Sequence, residues 1–208
     1  MIRVVTIERE YGSGGAEIAR KLADRLGWKL WDHLLTDEIA RLMDCECVAV
    51  EQHEERPDPL YYRLFKAFMR GSFEGSLNTH RLKLVDADCI RDAAQRVVLA
   101  AAKEGHSVIV GRGSAYYLKD RPDAFHVFIY APLAEKVHRL RQRGKSQEEA
   151  IQLAETVDRD RAAFIKQYFE VEWPSRHYFH LMINSTIGDD AVVQTVVDGV
   201  AAFEKQPA

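Results

Sequence analysis

The chain reads as an α/β protein: a three-layer, doubly wound parallel sheet of five strands with helices on both faces, a helical insertion and a helical lid. Three observations carry that expectation. Short, nearly continuous apolar runs recur at Ile2–Ile7, Trp28–Trp31, Ser107–Val110, Ala124–Tyr130 and His180–Ile183, as in strands covered on both faces. Segments with apolar residues at i, i+3 and i+4 alternate with them, the arrangement of a sheet wound by crossover helices. The first strand, finally, runs through Gly12-Ser13-Gly14-Gly15 straight into a helix. That junction suits an anion, because backbone N–H groups and the helix dipole point at it and no Cβ obstructs its approach.

The elements follow in order. Ile18, Ala19, Leu22, Ala23 and Leu26 put one apolar face on a helix over Ala16–Leu26, and Gly27 stops it. The second strand ends at Asp32, and a helix over Leu34–Met43 follows. Residues 44–84 change character: Pro57 and Pro59, an acidic stretch at Glu51–Glu55, and aromatics at 61–73 interleaved with basic residues. They read as a helical insertion on the substrate side, whose aromatics either face the core or stack on substrate. Asp86–Lys103 is an amphipathic helix closed by Gly105. Beyond Ser107–Val110 comes a Gly111-Arg112-Gly113-Ser114 turn, and beyond Ala124–Tyr130 a helix over Leu133–Arg143. Ser146 and Glu149 form a capping box for a helix reaching Tyr168, so residues from about 139 to 168 make the lid. Asn184-Ser185-Thr186 follows the last strand, and Asp189–Glu204 is the closing helix.

Composition narrows the functional classes. A length of 208 residues suits one domain, 1–208, with its core at 1–43 and 85–208. With 47% hydrophobic and 29% charged residues the chain is an ordinary globular protein. A net charge of −3 offers no bulk attraction to nucleic acid or acidic membrane, so neither is expected as a partner. No apolar run approaches the roughly 18 residues of a membrane span, and the chain starts directly in a strand, so a cytoplasmic location is expected. Three cysteines argue against a disulfide framework, and the Cys45–Cys47 pair has no second ligand pair. No metal centre is therefore expected. The eight histidines show no HExxH spacing, and Ser13 sits in no GxSxG elbow, which sets metalloproteases and nucleophilic hydrolases aside.

In such sheets ligands bind beyond the carboxyl ends of the strands, and the chemistry-bearing residues converge there. Gly12, Ser13, Gly14 and Gly15 form a phosphate cradle. A GxxxxGK[ST] loop would carry Lys and a hydroxyl where this chain has Gly15 and Ala16, and Gly where it has Arg9. Arg9 can supply the missing charge as a guanidinium fork, or pair with a neighbouring carboxylate. Asp32 can hold a substrate hydroxyl, orient a water or act as base, or simply cap the next helix. Arg112, with room made by two glycines, has the geometry for phosphate. Among the helical arginines, Arg159 and Arg161, set between Asp158 and Asp160, are the choices for neutralising charge on a transferred phosphoryl group.

The segments TIEREYGSGGAEIARKLADRLG, WDHLL, VIVGRG, FIYAPLAEKVHRL, DRDRAAF and LMINST together resemble the cytidylate kinase-like family, a branch of the nucleoside monophosphate kinases. The resemblance covers nearly the whole chain. It implies a P-loop NTPase fold, with ATP and Mg²⁺ as cofactors and a small nucleotide as substrate. ATP phosphates would lie on Gly12–Gly15 and adenine near Asn184, Ser185 and Thr186. The acceptor would contact Asp32 and Arg112, and the lid would bring Arg159 and Arg161. The implied reaction is ATP-dependent phosphorylation of CMP or dCMP; the alternatives are a catalytically impaired nucleotide-binding or regulatory protein, and a kinase for another small acceptor. The chain departs from true cytidylate kinases at the loop lysine and at Val110 and Gly113, which replace acidic residues flanking the Gly-Arg pair.

Overall fold

The structure, a computed structural model, describes residues 1–46 and 87–205. Five strands form one parallel sheet: β1 (Val4–Arg9), β2 (Lys29–Trp31), β3 (Ser107–Val110), β4 (Ala124–Tyr130) and β5 (Leu181–Asn184). Their order is β2-β3-β1-β4-β5. All six residues of β1 are buried, as befits the central strand of the sheet. The chain winds to one edge through β2, returns beside β1 as β3, and crosses to the other side as β4. The crevice above the end of β1 is thus the switch point at which such sheets bind ligands.

The helices are α1 (Gly15–Leu26), α2 (His33–Glu46), α3 (Ala87–Glu104), the single turn α4 (Ser114–Tyr117), α5 (Leu133–Gln142), α6 (Gln147–Phe169) and α7 (Asp189–Glu204). Side chains alternate along β1, so it feeds both cores. Val5 and Ile7 pack with Ile18 and Leu22 of α1 and with Val192 and Val196 of α7. Val4 joins Leu35 and Ile39 of α2, Ala94 and Val98 of α3, and Phe164 of α6. Each fully buried Val, Leu, Ile or Phe of this kind stabilises by about 1.5–3 kcal/mol. A third, smaller cluster sets Tyr11 against Leu140 of α5 and Ala150, Ala154 and Val157 of α6. It seats α5 and α6 against the residue that opens the glycine turn.

Local signals set the ends. Gly27 takes the left-handed conformation (φ 65°) and returns its N–H to Ala23 at the end of α1, and the Ser146 hydroxyl accepts the Glu149 N–H at the start of α6. Three expectations shift. The α2 helix runs on through Glu46, so the insertion expected from residue 44 begins inside it; the rest of 44–84 lies outside the described residues. The last strand starts at Leu181, because the His180 ring takes the His126 N–H on Nδ1 (2.9 Å) where a strand carbonyl would have taken it. The turn α4 was not legible as a helix at all. Among the described residues no helix is long and apolar enough to cross a membrane.

Candidate active site at the ends of β1 and β3

The turn after β1 is held open from outside. Gly12 and Gly14 have φ of 81° and 82°, which glycine adopts without strain. Between them Ser13 is buried: its hydroxyl donates to the Glu10 carbonyl (2.8 Å), and its carbonyl accepts from the Ser185 hydroxyl (2.7 Å) beyond β5. The Tyr11 N–H donates to Asp158 Oδ1 (2.7 Å) of α6. Lys136 of α5 bridges Glu10 Oε2 (2.7 Å) and Asp158 Oδ2 (3.0 Å). Burial works against its charge, but the two carboxylates win and raise its pKa. Burial also raises the Asp158 pKa, with Arg161 and Lys136 opposing. Helix α5 lies so near that a Cβ on Gly12 would come within 3.1 Å of Lys136 Cβ. The Arg139 guanidinium, held by Glu135 (2.8 Å) and Asp189 (2.9 Å), rests on Gly14.

Arg9 explains the absent lysine. A Cβ built on Gly15 would stand 2.7 Å from Arg9 Cβ, so the stem of the strand arginine occupies the space where a side chain from helix α1 would start. The Arg9 guanidinium then crosses to the neighbouring turn and lies on Gly111, whose missing Cβ makes room for it. Arg161 of α6 donates to the Arg9 carbonyl (2.9 Å). The cleft over the loop is lined by Arg9, Gly12, Gly14, Gly15, Arg143 and Arg161.

The turn after β3 points its charge inward. Gly111, Arg112 and Gly113 are all left-handed, with φ of 66°, 53° and 69°. For arginine this is a strained conformation that costs about 1 kcal/mol or more, and such strain gathers at functional sites. Arg112 is buried and donates to Asp32 Oδ1 (3.1 Å) and to the Val110 carbonyl (3.1 Å). Burial lowers its pKa to about 10, with Asp32 opposing. The Arg161 pKa falls to about 9, through burial and then repulsion from Arg9. Both stay charged at neutral pH. Three guanidinium groups thus crowd one end of the sheet beside Glu8, whose pKa burial raises. An arrangement of that kind is built for a polyanion.

A sequence model of the cytidylate kinase-like family matches residues 4–187, from the first residue of β1 to the turn after β5. The chain belongs to the cytidylate kinase-like family. No curated protein matches this kinase-like chain in sequence. Solved structures show the same P-loop kinase fold. An uncharacterized protein from Eubacterium ventriosum superposes with a TM-score of 0.69 at 21% identity, covering 97% of this chain and 99% of that one. Shikimate kinase from Acinetobacter baumannii, in complex with shikimate, gives 0.56 at 16% identity over 99% and 97%. Shikimate kinase from Bacteroides thetaiotaomicron gives 0.51 at 14% identity over 95% and 98%.

Within this family member, the residues singled out from sequence fall into three groups. Arg9, Gly12, Gly14, Gly15 and Arg161 meet at the cleft, Ser13 is buried beneath it, and Arg112 joins Asp32. Ser185 serves the loop through Ser13, whereas Asn184 accepts the Thr186 N–H (3.1 Å) and Thr186 is exposed. Arg159 is not brought to the loop: its side chain is 68% exposed. Two positions along a helix turn the side chain through about 200°, so Arg159 and Arg161 face opposite ways. Sequence reasoning missed Lys136 and passed over Arg139 in favour of Arg159 and Arg161; both look like ordinary solvated charges on a helix face. It also assigned no role to Glu8, whose place as the one acidic residue of β1 was the available signal.

Proposed function

We propose that this chain is an ATP-dependent phosphotransferase that passes the γ-phosphoryl group to a small acceptor, with CMP or dCMP as the acceptor. The observation that carries the reading is Arg9 standing in the space of the loop lysine. The cradle has kept a fixed cation while changing the element that supplies it. The residues fit a triphosphate: Gly12, Gly14 and Gly15 line the cleft with Arg9 and Arg161, and the Gly14 backbone carries no side chain. Mg²⁺ would arrive with the nucleotide, since phosphate oxygens and water supply most of its ligands in sites of this kind.

The protein's contribution is positioning and charge stabilisation. Arg9 and Arg161 hold the donor phosphates and the charge that spreads as the phosphoryl group moves. Arg112 holds the anionic group of the acceptor, and Asp32 keeps its fork in register. Tyr11, Lys136 and Asp158 tie the lid helices to the loop, which excludes water. A cytoplasmic enzyme acting on a small nucleotide, with neither nucleic acid nor membrane as partner, completes the reading. The test is ADP release with ATP·Mg²⁺ against CMP, dCMP, UMP, AMP, GMP and no acceptor. Turnover that depends on CMP or dCMP is expected. ATP binding without turnover on any acceptor would overturn the kinase in favour of a nucleotide-binding role, and turnover only on a different small molecule would move the acceptor.

A further inference from the structure

The acidic side chains around the glycine turn are already taken by cations of the protein itself. Glu10 and Asp158 hold Lys136 (2.7 and 3.0 Å), and Asp189 holds Arg139 (2.9 Å). Asp32 holds Arg112 (3.1 Å), and Glu17 in the first turn of α1 holds Arg20. Glu8 is buried, with the charges of Arg9, Arg161 and Arg112 acting on it. What the cleft presents is positive: Arg9, Arg143 and Arg161 all line it. The Arg143 guanidinium, at the end of α5, has no hydrogen-bond or ion-pair partner among the described residues. Arg9 and Arg161 stand close enough that their repulsion, after burial, loosens the Arg161 proton.

A GxxxxGK[ST] loop offers Mg²⁺ the hydroxyl of its last position. Here that position is Ala16, on the wall of the same cleft. The nearby hydroxyl of Ser13 is buried and donates to the Glu10 carbonyl (2.8 Å). Mg²⁺ gives up its water reluctantly and is bound through a few protein oxygens together with substrate phosphates. Among the described residues no group of three His, Cys, Asp or Glu side chains could hold a metal ion. Charge works in the same direction. A metal-free triphosphate is more negative than its Mg²⁺ complex, so it relieves more of the repulsion among the arginines, each able to meet phosphate through two parallel hydrogen bonds. We propose that the cleft binds the donor nucleotide as a free polyanion through Arg9, Arg143 and Arg161, so that donor affinity does not depend on Mg²⁺ and the metal is left to phosphate oxygens and water. This deepens the phosphotransferase reading and rests on it for the identity of the polyanion as ATP.

Calorimetry on the full chain tests it, with ATP and with inorganic tripolyphosphate, each in EDTA and in excess Mg²⁺ at one ionic strength. The ATP Kd is expected to agree within about threefold between the two conditions. Ala16→Ser adds one oxygen to a Cβ already present; it should tighten ATP in Mg²⁺ by about threefold or more and leave ATP in EDTA unchanged. Arg143→Gln should weaken ATP in EDTA by about tenfold and ATP in Mg²⁺ by less, since the more highly charged ligand loses more. ATP binding that is tenfold or more weaker in EDTA overturns the proposal, and leaves the phosphotransferase standing. No response to Ala16→Ser, or an equal loss in both conditions from Arg143→Gln, overturns it as well. Tripolyphosphate binding in EDTA without any ATP binding instead overturns the phosphotransferase and keeps the metal-independent anion cleft.

Discussion

The turns after β1 and after β3 lie side by side, both glycine-rich, both buried and both left-handed at two or more positions. They present opposite things to a ligand. The first offers backbone, and its cations arrive from elsewhere: Arg9 from the strand below, Arg161 from α6, Lys136 and Arg139 from α5. The second spends its glycines on aiming one side chain of its own, Arg112, which Asp32 holds from the next strand. The lesson is that a glycine turn at a strand end says only that something must come close. Whether it is the ligand or a neighbouring guanidinium depends on which Cβ is missing and what fills the gap.

The comparison can be broken most severely at the second turn. Arg112→Ala takes a charged partner from the buried Asp32 carboxylate, which should cost about 3–5 kcal/mol in urea unfolding. It should also lower kcat/KM in the ADP-release assay by about 100-fold or more. A surface-like loss below about 1 kcal/mol would show that the pair does not organise the turn. A histidine well below both turns gives a contrast of comparable size. Burial, and then His180, push the His126 pKa from 6.5 down to about 4, so the unfolded chain binds a proton there that the folded chain refuses. Stability should fall by about 3 kcal/mol as pH drops from 6.5 to 4. Glu8, with its raised pKa, works the other way on acidification. His126→Gln isolates the histidine share, and an unchanged pH profile in that variant would refute it.

The first turn is probed by putting the lysine back. Gly15→Lys places a Cβ against Arg9 Cβ, so it should lose about 1–3 kcal/mol and gain no turnover. In the double variant with Arg9→Gly, which removes the opposing Cβ, the space is vacated, and a double-mutant cycle should recover at least half of the loss. A gain in rate from Gly15→Lys alone would show that Arg9 does not fill the lysine's role. The smallest effect belongs to Ser185→Ala. Removing the hydroxyl that donates to the Ser13 carbonyl should cost about 1 kcal/mol and weaken ATP binding a few-fold. Thr186→Ala, exposed and bound only through its backbone, should leave both measurements unchanged.

Local periodicity made most of the fold legible, since each core strand is a short apolar run and each helix buries one stripe. The places where it failed are informative. The His180 ring moved a strand boundary by occupying a backbone donor, and that competition involves a residue 54 positions away. The single turn α4 has too few residues for any period to show. At the site, the glycine turns and Arg112 could be found because they are local signals. Lys136 and Arg139 could not, for nothing in their own helix distinguishes them; only the path of β4 beside β1 lays that helix over the loop. Arg159 and Arg161 were inseparable by composition and are separated by helical rotation alone.

The contact between Arg9 Cβ and the backbone of Gly15 has a consequence for how such proteins are found. One basic side chain fits under the loop, and it can be rooted in the strand or in the helix but not in both. A signature that demands lysine after the last glycine therefore selects one of two mutually exclusive solutions. Any chain built the other way passes through that filter unseen, and the pattern to search for is an arginine six residues before a glycine at the head of the helix.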